Sequence, residues 1–189
     1  MIGMLRRTLA LAVVVAVPLV GLAAAPAGAK TVTPQKWAPS FCTALGNWEN
    51  TIQSSATDVK SALANTSDLA GAKTTLVDFL SQAIDATDTA ITDVKAAGTP
   101  ATTNGAKIQA AFVKALTQAK SIFTKAEASS EQLSTDDATT FQTQASVIGT
   151  QIQSGGTEID TGFSKVDKLD TGGKLGKVVK ATKACSFLS

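Results

Sequence analysis

Residues 68–97 read DLAGAKTTLVDFLSQAIDATDTAITDVKAA, and their spacing decides the fold. Leu69, Ala72, Leu76, Phe79/Leu80, Ala83/Ile84, Thr87, Ala90/Ile91 and Val94 recur at steps of three and four. That period lays one apolar stripe along a helix, whereas a half-buried strand would alternate every second residue. Gly98-Thr99-Pro100 closes the stretch, since glycine accepts the left-handed turn after a helix and proline cannot extend one. On the other side, Asn65-Thr66-Ser67-Asp68 breaks the pattern. Ser67 is placed to cap the helix by accepting from a free N–H, and Asp68 suits the positive end of its dipole.

The same period recurs outward in both directions. Phe41, Leu45, Trp48, Ile52, Ser55/Ala56, Val59 and Leu63 predict a first helix over Pro39–Ala64, preceded by an extended Lys30–Ala38. Ile108, Ala111/Phe112, Ala115/Leu116, Ala119, Ile122/Phe123 and Ala126 predict a third over Thr103–Ser129. A fourth opens at Ser134, where Ser-Thr-Asp-Asp resembles a capping box with Asp137 at its third position. Its stripe is Phe141, Ala145, Ile148, Ile152, Gly155/Gly156, Ile159, Phe163, Val166 and Leu169, with a bend expected at the glycine pair. After Pro39 the chain holds one proline, Pro100, so nothing interrupts these helices. They run for roughly 26 to 36 residues, or ~40–54 Å at 1.5 Å per residue. Short loops between long helices of matched length make neighbours antiparallel. The expected fold is therefore all-α, an up-down-up-down four-helix bundle.

Lys174 to Phe187 predicts a short fifth helix, with Leu175, Val178, Val179 and Cys185 on one arc and Lys177, Lys180 and Lys183 on the other. The two cysteines, Cys42 and Cys185, lie near the start of helix one and beyond the end of helix four. In an up-down bundle those places share an end, so a disulfide between them is geometrically feasible. Its setting would be Trp37, Phe41 and the docked apolar arc.

The front of the chain reads as an export signal. Arg6 and Arg7 precede an apolar run from Leu9 to Ala24, and Ala27-Gly28-Ala29 supplies small residues before Lys30. That is the pattern of a cleaved secretory leader over residues 1–29, leaving a single helical domain over 30–189. It resembles the leaders of small secreted proteins of high-GC Gram-positive bacteria. An exported compartment also favours the disulfide over two free thiols. No membrane span is expected once the leader is removed, and the expected place is outside the cell, free or held at the wall.

Composition excludes more than it identifies. Residues 30–189 contain no His, Met, Arg or Tyr, and their 15 lysines balance 15 acidic residues. Imidazole ligands, Ser-His-Asp and Cys-His catalysis, and bidentate arginine clamps on phosphate are excluded. No cofactor and no metal is called for. Asp78, Asp85 and Asp88 share a face of helix two, but convergent carboxylates for a hard cation are hard to gather on one diverging helix face. Asp136 and Asp137 read as capping residues.

The candidate partner surface is Lys177, Lys180 and Lys183, within a segment from Lys165 to Lys183 that carries six lysines against Asp167 and Asp170. Such a patch suits an exported protein or an anionic envelope polymer. Nucleic acid is not expected, because no arginine or interleaved aromatic accompanies the lysines. Trp37 and Trp48 are the candidate ligand-binding residues, Trp48 by default a core residue and Trp37 a cover on the bundle end. The expected function is non-enzymatic binding at or outside the envelope. A carrier of a small apolar ligand in an Ala-spaced core and a self-associating envelope component are the alternatives.

Overall fold

Thr33-Pro34 sets the first long helix. Proline suits the first helical position, where no N–H is needed. The Thr33 carbonyl accepts from the amides of Lys36 and Trp37 at 3.0 and 2.9 Å. The computed structural model describes residues 30–64, 68–170 and 173–188, with the side chains of 62–64, 157–163, 165–167 and 188 outside that set. The expected leader, Ser67, Gly172 and the stripe side chains Leu63, Ile159, Phe163 and Val166 all fall outside the described residues.

Helix α1 spans Pro34–Ala64. The sequence expectation of an extended Lys30–Ala38 and a start at Pro39 is thereby corrected. Either proline can open a helix, and the earlier one wins because it brings Trp37 and Ala38 into the core beside Phe41 and Cys42. Pro39 then lies inside α1, on its exposed side. There the backbone carbonyl it deprives of a donor, that of exposed Gln35, is open to water.

The remaining long helices are α2 (Leu69–Ala96), α3 (Gly105–Ser130) and α4 (Ala138–Asp167). A short α5 (Lys174–Ala181) follows, then a 3-10 turn over Lys183–Leu188. Asp68 caps α2, its carboxylate accepting from the Gly71 amide at 2.8 Å. Asp137 does the same for the Thr140 amide at 2.8 Å, so α4 opens at Ala138 and not at Ser134. The reason is local competition. The Ser134 hydroxyl donates to the Asp136 carboxylate and accepts from the Asp136 amide, which folds Ser134–Asp136 into a turn and leaves Asp137 as the cap.

Each long helix packs on the one before it: α1 on α2, α2 on α3, α3 on α4. Trp48 reaches Thr87, while Ser55, further along α1, reaches Gln82, earlier on α2. Asp88 meets Lys120, whereas the later backbone of α2 at Val94 meets Gln109, earlier on α3. Asn104 at the front of α3 donates to the carbonyl of Leu169, and Ile122 seats on Gly155. A β-carbon on Gly155 would lie 2.4 Å from the Ile122 methyl, so the glycine permits the α3–α4 approach and α4 runs helical through the pair.

Burial follows the stripes. Ala72, Leu76, Leu80, Ala83, Thr87, Ala90 and Val94 are the buried residues of α2. Two core clusters result. One gathers Trp37, Phe41, Cys42, Leu45, Ile108, Leu116, Leu175 and Cys185, and the other runs from Leu80 and Phe123 to Leu133 and Phe141. Trp48 packs against both.

The end that carries the first cluster is fastened by several links. Thr31–Val32 (β1) pairs in parallel with Thr99–Pro100 (β2). The Thr99 amide donates to the Lys30 carbonyl at 3.0 Å and the Ala101 amide to the Val32 carbonyl at 2.7 Å. Gly98, at φ +81°, makes the turn that brings β2 to β1, and any side chain there would strike the Lys30 carbonyl. Gln109 accepts from the Thr99 hydroxyl at 2.7 Å and donates to the last carbonyls of α2, so one buried amide joins α2, β2 and α3. The Cys42–Cys185 disulfide then closes a separation of 143 residues, with the two Cα atoms 5.0 Å apart.

Candidate functional site

The lysine face of α5 is positioned from its own first turn. Gly173, the residue before α5, takes a left-handed φ of 60°. The Asp170 carboxylate accepts from the Gly176 amide at 2.8 Å, which satisfies one free donor of the new helix. Leu175 is buried, Val178 and Val179 are half-buried, and all three pack on the cluster around Trp37 and Phe41. Lys177, Lys180 and Lys183 are exposed. None of them forms a salt bridge among the described residues.

The expected single fifth helix is shorter in fact. Thr182 is extended (φ −92°, ψ 118°), and the chain resumes as the 3-10 turn that carries Cys185. Cys185 therefore does not share a helical arc with Leu175. It reaches the core because the break turns the chain down along α1, where its sulfur bonds Cys42 and the Phe187 ring lies over Gly46.

Trp37 is 1% exposed and stacks on Phe41, ring centroids 4.2 Å apart at 16°, while Phe41 tilts against Phe112 at 4.4 Å. The Trp37 indole N–H is buried and has no hydrogen-bond partner among the described residues. Trp48 is half-buried, and its indole N–H donates to the Thr87 hydroxyl at 2.9 Å. Thr87 is fully buried and donates in turn to the Ala83 carbonyl at 2.6 Å. This polar relay inside the apolar stripe escapes sequence reading, which sees in Thr87 only a small residue of permitted size. Gln109 escapes it for a similar reason, being buried beside its stripe and not on it.

The acidic face of α2 does not converge. Asp78, Asp85 and Asp88 are exposed, and Asp88 pairs with Lys120 of α3. Among the described residues no three potential ligands gather to hold a metal ion. Asp78 lines a shallow open groove of about 270 Å³ with Lys73, Thr74, Val77 and Glu131, on the half of α2 away from both tryptophans. Asp137 is held below the ordinary carboxylate range by hydrogen bonds from Thr140, the side chain first and then the backbone. That is a capping role, as its place in the sequence indicates.

No protein-family profile matches the chain, and searches of curated proteins and of solved structures find no match either. Among the described residues no helix is long and apolar enough to cross a membrane.

Proposed function

We propose that the chain is an exported, non-enzymatic helical-bundle protein that binds an anionic partner at or outside the cell envelope. The observation that carries this reading is the α5 lysine face. Exposed Lys177 and Lys180 stand on a helix whose other side is anchored by Leu175, and exposed Lys183 follows at the start of the 3-10 turn that the disulfide holds. Cations on an anchored backbone, free of salt bridges among the described residues, lose less freedom on meeting an anionic surface than cations on a loose segment, and that preorganisation favours binding. The opposed march of the Trp48–Thr87 and Ser55–Gln82 pairs, and its repetition from α2 to α4, supports an up-down-up-down bundle beneath it. The leader over residues 1–29 and the paired cysteines support export. The residue inventory supports a non-enzymatic role, because the exposed carboxylates of α2 have no imidazole, thiolate or arginine to work with.

The test is retention of the disulfide-bonded protein on sedimented cell-wall material. Retention should weaken as salt rises and fall strongly for the triple variant Lys177→Ala/Lys180→Ala/Lys183→Ala. Undiminished retention of that variant overturns the proposal.

A further inference from the structure

The α5 face is one part of a larger charged surface. β1 pairing brings Lys30 to the α2–α3 connection, the Asn104–Leu169 bond brings Lys107 beside Lys168, and α5 lies on the start of α1. The segments 30–36, 93–107 and 168–183 that meet here hold nine lysines against two acidic residues, Asp93 and Asp170. All nine lysines are exposed. This one end carries +7, and the rest of the otherwise neutral 30–189 segment carries −7.

We propose that this whole disulfide end, and not α5 alone, is a docking surface for a linear polyanion outside the membrane, such as a phosphodiester polymer. The inference rests on the binding reading above and extends it to residues of β1, α3 and the α4–α5 junction. Three observations select this occupant. The groove among the described residues lies elsewhere, at Lys73 and Glu131 on the far half of α2. The cations are lysines without a single arginine, point charges that read charge density and not the planar shape of one head group. Among the described residues the exposed large apolar side chains are Val147 and Phe187, and Phe187 lies on the side of α1 over Gly46. Neither lies within the basic segments 30–36, 93–107 and 168–183 themselves. Binding releases counterions from the polymer and is steeply salt-dependent. It also orients the molecule, with the acidic remainder turned away.

Titration with long-chain inorganic polyphosphate, followed by tryptophan emission and by co-elution, tests the proposal on the disulfide-bonded chain. Binding should weaken at least tenfold between about 50 and 200 mM salt. Lys107→Glu/Lys168→Glu, which leaves α5 intact, should weaken it by about tenfold or more, and Lys73→Glu/Lys125→Glu at the other end should leave it within about twofold. Circular dichroism confirms that each variant is folded. No binding at low salt, or equal losses in the two double variants, overturns the proposal. If the α5 triple variant abolishes binding while Lys107→Glu/Lys168→Glu does not, the extended surface is wrong and the α5 reading stands. Tighter binding to vesicles of phosphatidylcholine and phosphatidylglycerol than to polyphosphate at equal phosphate also overturns it, in favour of a lipid surface.

Discussion

Thr87 holds the indole of Trp48, the side chain that packs against both core clusters. It accepts from Trp48 and donates to the backbone of its own helix, with no surface open to water. Thr87→Val keeps the shape and removes the acceptor, leaving the indole N–H of Trp48 unpaired. A loss of about 1–3 kcal/mol in chemical denaturation is the expected result. Adding Trp48→Phe to that variant should cost less than the two single changes summed, because the partners share one interaction. Asp137 offers a second residue-scale test, with a sign. Its folded carboxyl titrates below the unfolded one. Its contribution is therefore fully present above the unfolded value and disappears as pH falls through the lower folded value. Asparagine caps as well as aspartate but carries no charge to lose. Thermal unfolding across the acid range should show the wild type losing more stability than Asp137→Asn, with the difference confined to below about pH 4.

At the scale of the element, glycines separate obligatory contacts from open space. A β-carbon on Gly105 would fall 1.8 Å from the Pro100 carbonyl, so Gly105→Ala must push the start of α3 off β2. Gly149, on the exposed side of α4, meets nothing within 4 Å. Gly149→Ala should raise stability by about 0.5–1 kcal/mol, while Gly105→Ala lowers it, both read as denaturation midpoints. The long helices are legible in the sequence because their stripes are: every α2 residue that is buried lies on the 3.6-residue period. The helix starts are less so. Two prolines and a run of Ser, Thr and Asp each offer more than one cap, and tertiary burial of Trp37 chooses at one end while a local side-chain turn chooses at the other. The β1–β2 pair is invisible for a different reason. Two residues per strand carry no periodicity, and their pairing depends on a loop that the helices must first bring into place. The lysines of α5 stand out in sequence, whereas Lys30 and Lys107 join them only through that pairing and through the Asn104–Leu169 bond.

For the whole molecule, the bond between Cys42 and Cys185 is the largest single constraint. In the chain-entropy view a loop of this length is stabilised by up to ~5 kcal/mol. Replacing both cysteines by serine should lower the unfolding midpoint markedly. It should also expose Lys174–Lys183 to a lysine-specific protease before the long helices are cut, because α5 then loses its covalent tie and is left to the packing of Leu175, Val178 and Val179 and the Asp170–Gly176 bond. The bond has a mechanical meaning as well. A molecule held by its front and pulled by its back transmits the load from Cys42 directly to Cys185. α1 from Thr43 onward and the whole of α2, α3 and α4 hang in a slack covalent ring outside the line of tension. Only the residues before Cys42 and those after Cys185 can be drawn out before a covalent bond bears the force. Under shear such a protein would yield at the front of α1, Trp37 and Phe41 with it, and keep the second core cluster from Leu80 and Phe123 to Phe141.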